Sequence, residues 1–239
     1  MTTDKAVLVT GGAGYIGSHA VLRLAREGWR VVVLDSLLRG HRAAVEAAGR
    51  AVPEASITLV EGDVADADLV MQTLSEYSCK DVLHFAGLAY VPESVLKPLD
   101  YYHENVAKGI DFIRACAEAG VKRFVLSSSC TTYGEPPASA MPIRESLPQT
   151  PVNPYGTSKW MLERILTHHA NIINKDRATF GCAFLRYFNV AGADRSGILG
   201  EHHDPETHII PIILQCLLGR RAESGNTFPI AGSDWPTPD

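Results

Sequence analysis

The sequence predicts a doubly wound α/β fold on a parallel sheet, and three observations carry that expectation. Short β-branched runs alternate with helix-period segments along most of the chain, which implies parallel strands joined by right-handed helical crossovers. The strand runs are continuously apolar and do not alternate, as a sheet covered on both faces requires. A glycine-rich turn, Gly11 to Gly17, separates the first strand from the first helix, and a sheet of this kind opens its ligand crevice at the carboxyl ends of its strands.

Ala6 to Thr10 (Ala-Val-Leu-Val-Thr) reads as a buried first strand. Ile16 to Glu27 reads as a helix, with Ile16, Ala20 and Leu24 on one face and Gly28 as its stop signal. Arg30 to Asp35 is the second strand and Ile57 to Val60 the third. Asp66 is placed to cap a helix running to about Tyr77, with Leu69, Thr73, Leu74 and Tyr77 at helical spacing. Val82 to Phe85 forms a fourth strand, Leu99 to Ala119 a long helix and Phe124 to Ser128 a fifth strand. Pro154 opens another long helix to about Asn171, and Ala183 to Phe188 completes a sixth strand. Composition shifts near residue 190, where the tail becomes rich in Gly, Pro and His and holds one good helix, His208 to Leu218. The expected organisation is a dinucleotide-binding, Rossmann-like domain over 1–189 and a partial C-terminal substrate-binding region over 190–239.

Composition narrows the function classes. The 239 residues are 46 % hydrophobic and 21 % charged, with a net charge of −5, which fits a globular domain and not a disordered tail. No basic run offers a nucleic-acid surface. No apolar stretch reaches the roughly 18 residues of a membrane span, and no signal-peptide core follows Met1. The five cysteines, Cys79, Cys116, Cys130, Cys182 and Cys216, are odd in number and widely spaced, as in a reducing, cytoplasmic compartment.

The glycines of the first turn let backbone N–H groups approach a pyrophosphate at a helix N-terminus. Gly11, Gly14 and Gly17, with Tyr15 and Ile16 between them, are therefore candidate cofactor contacts. The spacing is Gly-x-x-Gly-x-x-Gly, one residue removed from the usual dinucleotide fingerprint. Asp35, with Ser36 beside it, closes the second strand; a carboxylate there accepts the adenosine ribose hydroxyls and repels a 2′-phosphate, favouring NAD over NADP. Asp63 and Val64 follow the third strand, on the adenine side. Phe85, Ala86 and Gly87 end the fourth strand, where small residues let a dinucleotide pass close to the backbone.

Tyr155 and Lys159 share a helix face at i and i+4. A tyrosine hydroxyl is a poor base at its free pKa of about 10; a neighbouring ammonium and a cationic nicotinamide favour its phenolate. Ser127, Ser128 and Ser129 end the fifth strand at the crevice rim, where a hydroxyl can pass a substrate proton to Tyr155; strand register leaves open which of the three points inward. His202, His203 and His208 lie close in sequence, but no His-Glu-x-x-His pattern is present, and no metal site is expected.

Several longer motifs occur in order: Thr10 to His19 (Thr-Gly-Gly-Ala-Gly-Tyr-Ile-Gly-Ser-His), His84-Phe-Ala-Gly87, Glu93-Ser-Val, Tyr101-Tyr102, Asn105-Val106, Ser127-Ser-Ser, Tyr133-Gly134, Asn153-Pro-Tyr-Gly-Thr-Ser-Lys159, Arg186-Tyr-Phe-Asn189, Leu218-Gly-Arg-Arg221 and Gly232-Ser-Asp-Trp-Pro236. Together they resemble the extended short-chain dehydrogenase/reductases, in particular the nucleotide-sugar epimerases among them. The resemblance implies tightly bound NAD, a UDP-sugar substrate, and interconversion of UDP-glucose and UDP-galactose through a transient 4-keto sugar. It assigns Ser129 as the catalytic hydroxyl, Tyr155 as the base and Lys159 as its partner on the nicotinamide ribose. Asn105 and Phe188 fall on the cofactor side, Asn189 near nicotinamide and sugar diphosphate, and Thr207, His208 and Ile209 where the family grips UDP. It also implies a homodimer packed through Leu99–Ala119 and Pro154–Asn171, and a family chain that continues beyond Asp239. Two other readings stand beside this one. A dehydratase of the same superfamily needs an acid beside the catalytic hydroxyl, where this chain has Cys130-Thr131-Thr132. The other is a truncated NAD-binding module without turnover.

Overall fold

A computed structural model describes residues 5–176, 179–204, 206–221 and 225–228. Six parallel strands form one sheet in the order β3-β2-β1-β4-β5-β6, which is the doubly wound order with its switch point between β1 and β4. The strands are β1 (Ala6–Thr10), β2 (Arg30–Asp35), β3 (Ile57–Glu61), β4 (Asp81–His84), β5 (Arg123–Ser129) and β6 (Gly181–Tyr187). Register aligns the strand ends: Thr10 pairs with His84, Asp35 with Glu61, and Ser129 with Tyr187.

The continuous apolar runs have the expected cause. Alternate residues of β1 enter two separate cores, Ala6 and Leu8 on one face, Val7 and Val9 on the other. The helices are α1 (Tyr15–Arg26), α2 (Arg42–Ala51), α3 (Ala67–Glu76), α4 (Val91–Leu96), α5 (Pro98–Tyr101), α6 (Lys108–Glu118), α7 (Pro154–Ile173) and α8 (Ile209–Leu217). Val70 and Leu74 of α3, Phe112 of α6 and Leu162 and Leu166 of α7 fill the first core. Val21 and Leu22 of α1 and Val45 and Ala48 of α2 fill the second. Each such fully buried side chain contributes on the order of 1.5–3 kcal/mol of transfer free energy.

Several elements differ from the sequence expectation. The helix α2 stands in a segment to which the sequence pattern assigned no element: its alanines give helix propensity but only Val45 and Ala48 are buried, so the apolar stripe is too thin to see. The expected single helix over Leu99–Ala119 is interrupted by a π-helical stretch, Tyr102–Ala107, between α5 and α6. Such insertions are frequent at functional sites, and this one turns Asn105 and Val106 inward. Ile113 and Cys116 of α6 are core residues. Ser129 lies inside β5, and Phe188 lies just past β6.

Beyond β6 the chain crosses back over the second core, where Leu199 is buried and Asp194 pairs with Arg26 at 2.8 Å. The apolar residues of α8, among them Ile209, Leu214 and Leu217, are largely exposed. Among the described residues no helix is long and apolar enough to cross a membrane. The Gly232–Pro236 motif lies outside the described residues.

Candidate active site

The site lies at the carboxyl ends of β1, β4 and β5, and its first wall is the glycine turn. Gly11 has φ +67°, and a Cβ there would stand 2.5 Å from the Ala86 nitrogen; only glycine lets β1 and the β4 exit approach so closely. At Gly17 a Cβ would run into the Gly11 carbonyl, so the turn closes directly onto α1. Gly14 caps α1 with no side-chain bond, and the first turn of α1 holds no acidic residue. The helix end is thus an uncapped positive pole, suited to a pyrophosphate. Tyr15 and Ile16 are half-buried beside it, and the Tyr15 hydroxyl donates to the Gly192 carbonyl at 2.7 Å.

Asp35 is buried at the end of β2 and accepts the Ala13 N–H at 2.9 Å and the Leu37 N–H at 2.8 Å. It therefore ties the glycine turn to the β2–α2 loop; a carboxylate with two such bonds keeps lone pairs for ribose hydroxyls. Ser36 beside it is exposed. Asp63 pairs with Lys108 at 2.6 Å and accepts the Ala65 N–H; although its partial burial works the other way, these bonds hold its carboxyl below the usual range. Val64 packs on the first core. Phe85 and Ala86 are half-buried and Gly87 is exposed along the β4 exit.

Asn105 does not offer a free amide. Its Oδ1 accepts the Leu88 N–H at 2.8 Å, and its Nδ2 donates to the Leu88 carbonyl and to Ser158 Oγ, both at 3.0 Å. Its place in the site is to clamp the β4 exit loop to α7.

The helix α7 begins at Asn153, whose side chain accepts the Gly156 N–H at 2.8 Å, with Pro154 as first residue. Cap and proline fix the first turn, which places Tyr155 at the crevice. Tyr155 and Lys159 are both buried, with Nζ 5.8 Å from the centre of the tyrosine ring. Burial raises the Tyr155 pKa, partly opposed by a hydrogen bond with Ser129. The expected lowering is therefore not a property of the protein surroundings alone. Burial pushes Lys159 down to about 8; no hydrogen bond of its ammonium is found among the described residues.

The three serines separate by register. Ser129 Oγ accepts from Thr131 Oγ1 at 2.9 Å and from the Thr131 N–H at 3.2 Å, and it faces Tyr155. Ser128 points the other way and donates to Glu163 at 2.5 Å. Ser127 is half-buried. Glu163 belongs to a buried network that sequence reading passed over: Arg186 donates to both its oxygens at 3.0 and 2.6 Å, Gln149 donates at 2.9 Å, and Arg186 reaches the Tyr133 hydroxyl at 2.7 Å. A signal for it existed, because Tyr155, Lys159 and Glu163 recur every four residues and so share one stripe of α7.

The remaining expected residues follow β6 and precede or open α8. Phe188 is 62 % exposed, and Asn189 is exposed at the same sheet edge. His208 stands before α8, its N–H donating to Glu206 at 2.8 Å, and Ile209 is exposed. The histidines that lie close in sequence divide in space: His203 and His208 gather with Glu201 and Glu206, while His202 contacts His41 at 3.1 Å.

Comparison with known proteins agrees with this geometry. Residues 7–233 match the model of the NAD dependent epimerase/dehydratase family. The UDP-glucose 4-epimerase of Lacticaseibacillus casei is 43 % identical over 235 residues, covering 98 % of this chain and 65 % of that protein. Among solved structures, the UDP-glucose 4-epimerase of Brucella ovis in complex with NAD superposes with a TM-score of 0.87 at 40 % identity, covering 98 % of this chain and 66 % of that one. The UDP-glucose 4-epimerase of Bifidobacterium longum in complex with NAD+ and UDP gives 0.82 at 34 %, covering 90 % and 63 %. The chain thus spans a little under two-thirds of the length of these relatives. With a Rossmann-like sheet in the doubly wound order, an uncapped glycine turn and a match running from β1 into the tail, the chain belongs to the NAD dependent epimerase/dehydratase family.

Proposed function

We propose that the chain interconverts UDP-glucose and UDP-galactose by inverting C4 of the sugar. The observation that carries this reading is the convergence of Ser129, Tyr155 and Lys159 beside the uncapped glycine turn. No carboxylate occupies positions 130–132, where a dehydratase would need an acid. The likeness to UDP-glucose 4-epimerases solved with NAD supports the cofactor and the substrate class.

The residues present fit NAD. The N-terminus of α1 and Gly11, Gly14, Tyr15, Ile16 and Gly17 would hold the pyrophosphate, Asp35 and Ser36 the adenosine ribose, and Asp63 and Val64 the adenine side. Phe85, Ala86, Gly87 and Phe188 would line the path, with Asn105 fixing its loop. NAD held there would supply the reversible hydride acceptor that oxidation and reduction at C4 require.

The chain's own groups move the proton. Ser129 Oγ orients the 4-hydroxyl and passes its proton to Tyr155 Oη. A phenolate buried at that point is costly, and the nearby Lys159 ammonium, poorly screened in the same dry surroundings, offsets that cost. The reverse transfer re-protonates C4–O after the sugar has turned. Asn189, Thr207, His208 and Ile209 are assigned to the nucleotide diphosphate, which must be gripped while the sugar remains free to rotate.

A homodimer is part of the same proposal. Tyr102, Val106, Ala107, Ile110, Thr157 and Met161 line a shallow apolar groove of about 440 Å³ between the π-helical stretch, α6 and α7, on the two helices through which the resemblance pairs subunits. Free cysteines throughout the described residues support a cytoplasmic location. Residues 1–189 are assigned to the cofactor and 190–239 to part of a substrate-binding region.

The test is incubation of the chain with UDP-galactose and NAD, with UDP-glucose followed by chromatography. Conversion that disappears in Tyr155→Phe is the expected result. No conversion by a folded chain that still binds NAD would overturn the epimerase reading and leave a cofactor-binding module.

A further inference from the structure

Two threonines in the short turn Cys130–Tyr133 grip Ser129 from both ends. Its Oγ accepts the Thr131 hydroxyl at 2.9 Å and the Thr131 N–H at 3.2 Å, while its carbonyl accepts the Thr132 hydroxyl at 2.9 Å. Thr132 is fully buried. Thr131 lies against the first turn of α7: a Cβ on Gly156 would stand 2.7 Å from the Thr131 carbonyl oxygen and 3.1 Å from its Oγ1. The glycine next to Tyr155 therefore admits Thr131 to the same corner as the proposed base.

A hydroxyl oxygen offers two lone pairs and one proton. The two Thr131 donors occupy both lone pairs of Ser129 Oγ, so its own proton is what Ser129 has left to give. That proton is directed at Tyr155: burial raises the Tyr155 pKa, and the bond from Ser129 opposes the rise. A hydroxyl that already accepts two hydrogen bonds is polarised into a stronger donor. The other titratable groups facing Tyr155 are Lys159, Tyr101 and Cys130. Burial keeps Cys130, which also reaches Ser129, as a neutral thiol, so it brings no anion to compete for the Ser129 proton.

We propose that Thr131 is a positioning residue for the proton step, its hydroxyl holding Ser129 as a donor toward Tyr155 and steadying the charge that Ser129 carries in passing. The proposal rests on the epimerase reading and gives its relay a direction. The Tyr155 phenolate takes the Ser129 proton, so one O–H bond breaks as another forms. Ser129 Oγ keeps both bonds from Thr131 and gains a third lone pair. That pair takes the proton of the sugar 4-hydroxyl, which restores Ser129. The electron pair left on the 4-oxygen becomes the carbonyl bond as C4 releases its hydride to the nicotinamide acceptor. Without the Thr131 hydroxyl, the charge developing on Ser129 loses one of its two donors.

The test compares Thr131→Val, which removes the hydroxyl but keeps the volume and the N–H, with Thr131→Ser, which restores a hydroxyl. In conversion of UDP-galactose by the NAD-loaded chain, kcat of Thr131→Val should fall on the order of 10- to 100-fold with KM unchanged, less than the loss of a donor in direct contact with the reacting oxygen. Thr131→Ser should recover most of that loss. In a Ser129→Ala background, adding Thr131→Val should cost nothing more, because Thr131 acts through Ser129. A second readout needs no turnover. NMR of the chain isotope-labelled at tyrosine Cζ, with the Tyr155 signal identified by its loss in Tyr155→Phe, should show Tyr155 titrating at higher pH in Thr131→Val than in the parent or Thr131→Ser. Circular dichroism checks folding, and Thr131→Ala replaces the valine variant should that one not fold. A valine variant as active as an active parent, a serine variant as impaired as the valine one, additive losses with Ser129→Ala, or an unmoved Tyr155 titration would overturn the proposal. An inactive parent would refute the epimerase reading alone, and the Tyr155 titration then decides the role of Thr131.

Discussion

Replacing Lys159 by methionine should make the chain more stable at neutral pH while abolishing its chemistry. Lys159 is 3 % exposed, and burial moves its pKa from 10.5 to about 8. The shift of about 2.5 units corresponds to on the order of 3 kcal/mol at 1.36 kcal/mol per unit. The sign follows from linkage: below pH 8 both folded and unfolded chains carry the charge, and folding bears the full cost of burying it. Between about pH 8 and 10.5 the folded amine is already neutral while the unfolded one still holds its proton, so this penalty is relieved as pH rises. Methionine keeps the apolar stem without the charge. Urea unfolding of the NAD-free protein at pH 7 should therefore show Lys159→Met more stable by up to about 3 kcal/mol, with the gap closing by pH 10.5. A variant less stable than the parent at pH 7, or a gap that does not change with pH, would refute the argument that the ammonium is held there against its own solvation.

Other substitutions probe the remaining walls of the site. Gly11→Ala adds a Cβ against the Ala86 backbone at φ +67°; it should cost at least about 1–3 kcal/mol in urea unfolding and weaken NAD binding measured by calorimetry. Glu163→Ala leaves Arg186 without its bidentate partner and should destabilise by about 3–5 kcal/mol, whereas Glu163→Gln, which keeps hydrogen-bonding atoms, should cost less; equal stability of the parent and the alanine variant would contradict the network. Asp35→Ser removes the charge proposed to meet the adenosine ribose, so NAD affinity should fall and the preference over NADP should narrow, read by fluorescence titration with both cofactors.

Much of this architecture was legible in the residues because the relevant signals are local. The glycine turn, Asp35 at a strand end, and Asn153-Pro154 ahead of Tyr155 each place a group by chain geometry alone. Other features depend on partners distant in sequence. Strand register alone left the inward serine open, though the resemblance names Ser129; the bond of Ser128 to Glu163, 35 residues away, turns Ser128 out of the choice. Glu163 itself reads as a solvated helix charge until Arg186 of β6 closes over it. The bonds that Asn105 makes from the π-helical stretch to the β4 exit loop and to Ser158 join partners too distant in sequence to foresee. Glu201, His203, Glu206 and His208 carry no recognisable spacing in the sequence, yet their side-chain polar atoms lie within 4.8 Å of one another. The expected fall in the Tyr155 pKa also missed a competing effect, since the burial that dries the site raises it.

Proton transfer at the sugar 4-oxygen by Tyr155 and Ser129, with C4 exchanging only a hydride, is tested by running the reaction from UDP-galactose in D2O and reading the product by NMR. UDP-glucose that keeps protium at C4 is the expected result. Deuterium at C4, or no product from a chain shown to be folded and loaded with NAD, would contradict it.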